Sequence, residues 1–160
     1  MGDNPSPQPP LVLSDREREL LRPEVAALAA AIDDPTLRAA YAALLEAVDA
    51  GSVSPSGLDR LEGLLEMGLQ TGRFRQQRGQ IDAQLLYRLY GRTPRGTALN
   101  AALAGVNKAL ATLDGQTIDG LAVSAKGPGE YELAVETNTC RMAIAIGAGG
   151  VYVTSVEMGV

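Results

Sequence analysis

The side chains best equipped for chemistry sit in the middle of the chain, where Arg73, Arg75 and Arg78 surround Phe74 and Arg88, Arg92 and Arg95 follow. Planar guanidinium forks beside an aromatic ring suit a phosphate group or single-stranded RNA. The same forks suit carboxylates of the chain's own helices, or of another copy. Charge is segregated along the sequence. Residues 1–72 hold twelve acids and five bases, 73–110 hold seven bases and one acid, and 111–160 hold two bases and six acids, for a net charge of −5. An acidic net charge opposes non-specific nucleic-acid binding, so pairing to carboxylates is the expected use of these arginines and a polyanion the alternative.

Other chemistries are bounded by what is rare. There is no histidine, which removes the commonest general base, the Ser-His and Cys-His nucleophile pairs, and imidazole zinc sites. Cys140 is the only cysteine; it closes no intrachain disulfide, and its spacing from Met142 and Ile144 places it inward as a small hydrophobe. Asp33/Asp34 and Glu130/Glu132 are the notable acid pairs. Asp34 precedes a proline as a helix cap would, and Glu130 and Glu132 fit the solvent side of a strand. Neither pair makes a catalytic dyad, and no calcium-loop spacing occurs. No metal and no cofactor are expected. The run from Met142 to Val151 has glycines after an apolar strand, like the opening of a dinucleotide fingerprint. That fingerprint needs a helix next, and Val151–Val156 has strand character instead, so a hairpin is expected. Gly91–Gly96 lacks phosphate-loop spacing and reads as a loop. With no convergent set of reactive groups, the chain is read as non-enzymatic.

These residues must be positioned by elements the sequence also marks. Residues 1–13 are proline-rich and read as a disordered tail. Ser14 with Glu17 forms a capping box, starting a helix from Asp15 that Pro23 interrupts or restarts, with a second piece to Ile32. Asp34-Pro35 and Gly51 bound a helix with Leu37, Tyr41, Leu44, Leu45 and Val48 on its buried face. Ser54-Pro55 opens another through Leu69, in which Gly57, Gly63 and Gly68 permit close packing. After the polar stretch 72–79, Gln80–Tyr90 is helical with Ile81, Leu85 and Leu89 in one stripe. The helix Thr97–Leu113 has the most regular pattern, Leu99, Leu103, Val106, Leu110 and Leu113.

From Thr117 the period becomes two. Leu121, Val123 and Ala125; Tyr131, Leu133 and Val135; Cys140, Met142, Ile144 and Ile146; and Val151–Met158 are four strands separated by turn residues. The expected fold is α+β: an N-terminal helical region (14–90), then an amphipathic helix packed on a four-stranded antiparallel β-meander (97–160), the two parts either separate or forming one compact domain. The sheet face opposite that helix holds Ala143, Ala145 and Tyr152 with few long charged side chains, which predicts a cover. The sequence therefore points to a protein–protein interaction or assembly module, docking to itself or to a protein partner through this face and the basic segment. The alternative is nucleic-acid or phosphoryl-ligand binding through Arg73–Arg95. An acidic N-terminus and the lack of a long apolar run give no leader or membrane span; a cytoplasmic location is expected.

Overall fold

The computed structural model describes residues 8–159. The chain divides into two compact units, the first through Arg95 and the second from Gly96.

The first unit is helical. Its α1 (Asp15–Ala31) opens on the expected capping box: the Glu17 backbone N–H donates to Ser14 Oγ at 3.3 Å, and the Ser14 N–H donates to Glu17 Oε2 at 2.7 Å. Pro23 does not break α1. A proline removes the N–H that would reach the carbonyl four residues back, here Glu19; both residues are exposed, so that carbonyl lies on the side where water is available. Next, α2 (Pro35–Ala50) is capped by Asp34, whose side chain accepts from the Leu37 N–H at 2.7 Å, and stopped by Gly51 at φ 77°. Leu44 and Val48 are buried, whereas Leu37, placed on the inner face by its spacing, is exposed at the start of the helix.

The expected tail is shorter than residues 1–13: β1 (Leu11–Val12) pairs with β2 (Ser52–Val53), Leu13 is buried, and its N–H donates to the Gly51 carbonyl at 2.9 Å. Residues 1–7 lie outside the described residues.

The apolar stripe of α3 (Pro55–Gln70) is buried at Leu58, Leu61, Leu64 and Leu65. The polar stretch that follows is not a plain connection. It forms α4 (Arg73–Arg78), whose Phe74 is fully buried. Gly68 makes room for it: a Cβ there would overlap the Phe74 ring. Gly72, at φ 69°, supplies the left-handed turn that brings α4 back onto α3. In α5 (Gln80–Tyr90) the buried residues are Leu86, Leu89 and Tyr90. Ile81, read as part of the buried stripe, is 82% exposed; the inner face lies one position round the helix from that reading and begins only in its second half.

The second unit is built on α6 (Pro94–Ala111), whose first two residues precede the unit boundary. It starts three residues earlier than its apolar pattern, so the Pro94–Gly96 part of the expected loop is helix. Proline suits a first helical position, and an acceptor from α3 described below serves the first turn. Four strands, β3 (Ile118–Gly127), β4 (Glu130–Thr137), β5 (Cys140–Gly147) and β6 (Gly150–Met158), form an antiparallel meander in sequence order. Pro128-Gly129 turns β3 into β4 with Gly129 at φ 76°, the proline-then-glycine order of a type II turn. The glycines after β5 close a hairpin with Gly147 opposite Gly150, and no helix follows them. Val106 of α6 is buried against Met142 and Ile144, with Ala109, Leu110, Leu113, Leu133, Val151 and Val153 around them. The amphipathic helix thus packs on the meander, and the protein is α+β.

Candidate interaction surfaces

The arginines of residues 73–95 are brought together with carboxylates of the first unit. Arg73 and Arg78 approach one carboxylate, Glu24 of α1, through Nη2 atoms at 2.7 and 2.8 Å. Arg92 Nη2 straddles both oxygens of Glu17 at 2.8 and 2.9 Å. Arg95 reaches three acids of α3: Asp59, Glu62 at 3.2 Å and Glu66 at 3.0 Å. Glu17, Glu24 and Glu62 are buried, and a buried carboxylate requires a cation or several N–H donors close by. The basic segment supplies them.

Glu62 does a second task. It accepts the backbone N–H of Arg95 at 2.7 Å, satisfying one of the open donors of the first turn of α6 where a negative group is favoured. Tyr90 closes the same cluster by donating its hydroxyl to Glu66 Oε1 at 2.8 Å. Burial, with the Glu66 carboxylate beside it, pushes the Tyr90 phenol up to about 12. The surrounding acids raise the Arg95 pKa despite its partial desolvation.

Phe74, the aromatic ring of the polyanion alternative, is a core residue, with the Arg73 guanidinium 5.6 Å from its centroid. Arg75 and Arg88 are exposed and carry no ion pair among the described residues. The pairing reading of the basic segment thus describes Arg73, Arg78, Arg92 and Arg95, while Arg75 remains outside it. No sequence motif announces these partners, because 54 to 75 residues separate Glu24 from Arg78 and Glu17 from Arg92.

Beside the Glu24–Arg73 pair, a half-open cleft of about 250 Å³ runs between α1 and α3, walled by Ala27, Leu28, Ala31, Leu64 and Met67. Its charged end is already neutralised by the ion pair. Among the described residues no cluster of three or more metal-ligating side chains occurs, and Cys140 is 1% exposed.

The sheet of the second unit has two unlike faces. On the face away from α6, Ala143 and Ala145 are half-buried, Tyr152 is 53% exposed, and Lys126–Glu132 and Arg141–Glu136 ion pairs lie at 2.9 and 2.6 Å. Within the single chain Tyr152 is therefore exposed, and cross-strand ion pairs share its face. The surplus of apolar surface is on the other face, beside α6. Register makes this plain: Leu121, Val135, Met142 and Val156 form one row across the sheet, and Val123, Leu133, Ile144 and Val153 the next. Within the first row the middle residues are buried, while Leu121 is 64% and Val156 46% exposed; Val123 is 66% exposed. A helix is ~10 Å across, and the outermost of four strands lie roughly 15 Å apart at ~4.8 Å spacing. One helix covers the centre and the start of β6, and leaves β3 and the end of β6 bare.

Ile118 and Met158 extend these bare flanks. Spacing alone identified the strands but not this surface, since apolar alternation looks the same under a helix and beside one. Among the described residues no helix is long and apolar enough to cross a membrane. No known protein family, curated protein or solved structure matches the chain.

Proposed function

We propose that the protein is a non-catalytic interaction or assembly module whose docking surface is the sheet of the second unit. One observation carries this reading: Ile118, Leu121 and Val123 on β3, with Val156 and Met158 on β6, expose apolar side chains on the same sheet face whose centre α6 already buries. Large apolar side chains exposed together on one face, rather than scattered singly, mark interaction sites. The basic segment has a supporting part, since its paired arginines hold buried acids in place and leave mainly Arg75 and Arg88 available to an outside anion. That engagement is also why nucleic-acid binding is the second reading and not the first.

The test is capture from native cells with the wild-type chain, with Leu121→Glu/Val156→Glu, and with Arg75→Ala/Arg88→Ala. A protein retained by the wild type and the arginine variant but lost from the sheet variant supports the proposal. Identical capture by all three overturns it, and loss of bound RNA from the arginine variant alone selects the second reading.

A further inference from the structure

We infer that the partner of the β3 edge is a second copy of this chain, the two β3 strands pairing antiparallel about a two-fold axis to join two four-stranded sheets into one of eight strands. This deepens the interaction reading and rests on it, by committing to one edge and one occupant.

Both outer strands have an unpaired edge, and what distinguishes them is regularity. In β3 the pairing shifts fall only at the ends, between Ile118 and Gly120 and between Ala125 and Gly127. Gly120–Ala125 runs unbroken between them, with no proline and no charge. In β6 the shift falls mid-strand, where Thr154 is the extra residue opposite the Ala143–Ile144 step. A mid-strand bulge, a charge or a proline is how exposed edges are kept from pairing. By this measure β6 is guarded and β3 is open. The difference also selects closure, because β3 pairing with β6 of the next copy would propagate head to tail, whereas β3 pairing with itself ends at two chains.

Charge then sets direction. The regular run is bounded by Asp119 on one side and Lys126 on the other. An antiparallel two-fold pair brings the Asp119 end of each strand to the Lys126 end of the other, at both ends of the contact. Parallel pairing would place like charges together. Lys126, already 2.9 Å from Glu132 of its own chain, is 54% exposed and so accessible to a second acid. Near the axis, Leu121 of one copy meets Leu121 or Val123 of the other on the α6 side, and the exposed flank becomes a shared apolar strip between the two α6 helices.

Sedimentation equilibrium of the full-length chain over a range of concentrations tests this. The wild type should approach twice the 16.7 kDa chain mass. Leu121→Glu or Val123→Glu should raise the dimer dissociation constant by about 10- to 100-fold, since each substitution enters the contact twice, with the melting temperature at high dilution unchanged. Val156→Glu on β6 should stay dimeric. Separately, single cysteines introduced as Leu121→Cys, Ala122→Cys or Val123→Cys should yield, at one of these positions at least, a disulfide-linked pair of chains on oxidation, whereas Thr154→Cys should not; the native Cys140 is buried. A dimer indifferent to Leu121→Glu and without cross-links at 121–123 overturns the β3 assignment while the interaction reading stands. A wild type monomeric at every concentration overturns self-pairing, and the capture comparison above then decides the interaction reading independently.

Discussion

Glu24 shows how much can depend on one carboxylate. It is buried, and its cations come from Arg73 and Arg78, whose Nε atoms are themselves buried without an acceptor. Replacing both arginines by alanine leaves the charge stranded, so Arg73→Ala/Arg78→Ala should destabilise by about 3 to 5 kcal/mol, read from denaturant unfolding. Adding Glu24→Gln to the double variant should recover part of the loss. Tyr90 gives a prediction in pH. Its phenol ionises near 10 in an unfolded chain and at about 12 in the fold. The raised value means that its stabilisation is complete below pH 10 and is lost as pH climbs from 10 to 12, because the unfolded chain releases the proton first. Tyr90→Phe should flatten stability across that window, and one of the five tyrosines should disappear from the latest step of an alkaline absorbance titration.

Among the elements, the α3–α4 contact is the most discriminating. Gly68 lies under the Phe74 ring, whereas a Cβ at Gly63 meets nothing within 4 Å. Gly68→Ala should therefore cost about 1 to 3 kcal/mol through overpacking, and Gly63→Ala should gain up to about 1 kcal/mol from helix propensity. Paired thermal melts of the two variants check it; equal shifts would mean that Phe74 moves aside without penalty. In α6, Val106→Ala should destabilise by about 1 to 3 kcal/mol and more than Leu103→Ala, because Val106 is buried against the sheet while Leu103 is half-buried outside that cluster. The meander was readable residue by residue, since period-two alternation and Gly-Pro-Gly turns are local signals. So were the Ser14–Glu17 box and the Asp34 cap. What escaped was set at a distance. The first turn of α6 takes an acceptor from Glu62, α4 exists because Phe74 fits over Gly68, and Leu13 is held by Gly51. The basic segment was visible as an anomaly of composition, but its partners were not.

Across the whole molecule, the steep charge blocks of the sequence nearly cancel inside the first unit, where thirteen acids meet eleven bases; the second unit, with six acids and three bases, carries most of the net −5. A flexible basic stretch would attract RNA at low salt, whereas a basic stretch neutralised by its own fold should not. Titration of the full chain with single-stranded RNA at low ionic strength should show no binding; binding that weakens with salt and disappears in Arg75→Ala/Arg88→Ala would reverse that expectation. The surface best suited to a partner is thus uncharged at its centre, and association through it should depend little on salt.

The separation between Glu17 and Arg92 also sets an order of events during synthesis. Arg92 follows Glu17 by 75 positions, so the acid leaves the ribosome several seconds before its cation at ordinary elongation rates of about 5 to 20 residues per second. Through that interval α1 cannot bury Glu17 or Glu24 without stranding a charge, and α4, with six residues, is too short to hold itself together in advance. The nascent helices therefore wait, open and acidic, until the last arginine emerges. The meander, whose strands meet only their sequence neighbours, has no such delay and can close as soon as each hairpin is complete. The part of the chain made first is the part that can finish folding only when the middle has been made.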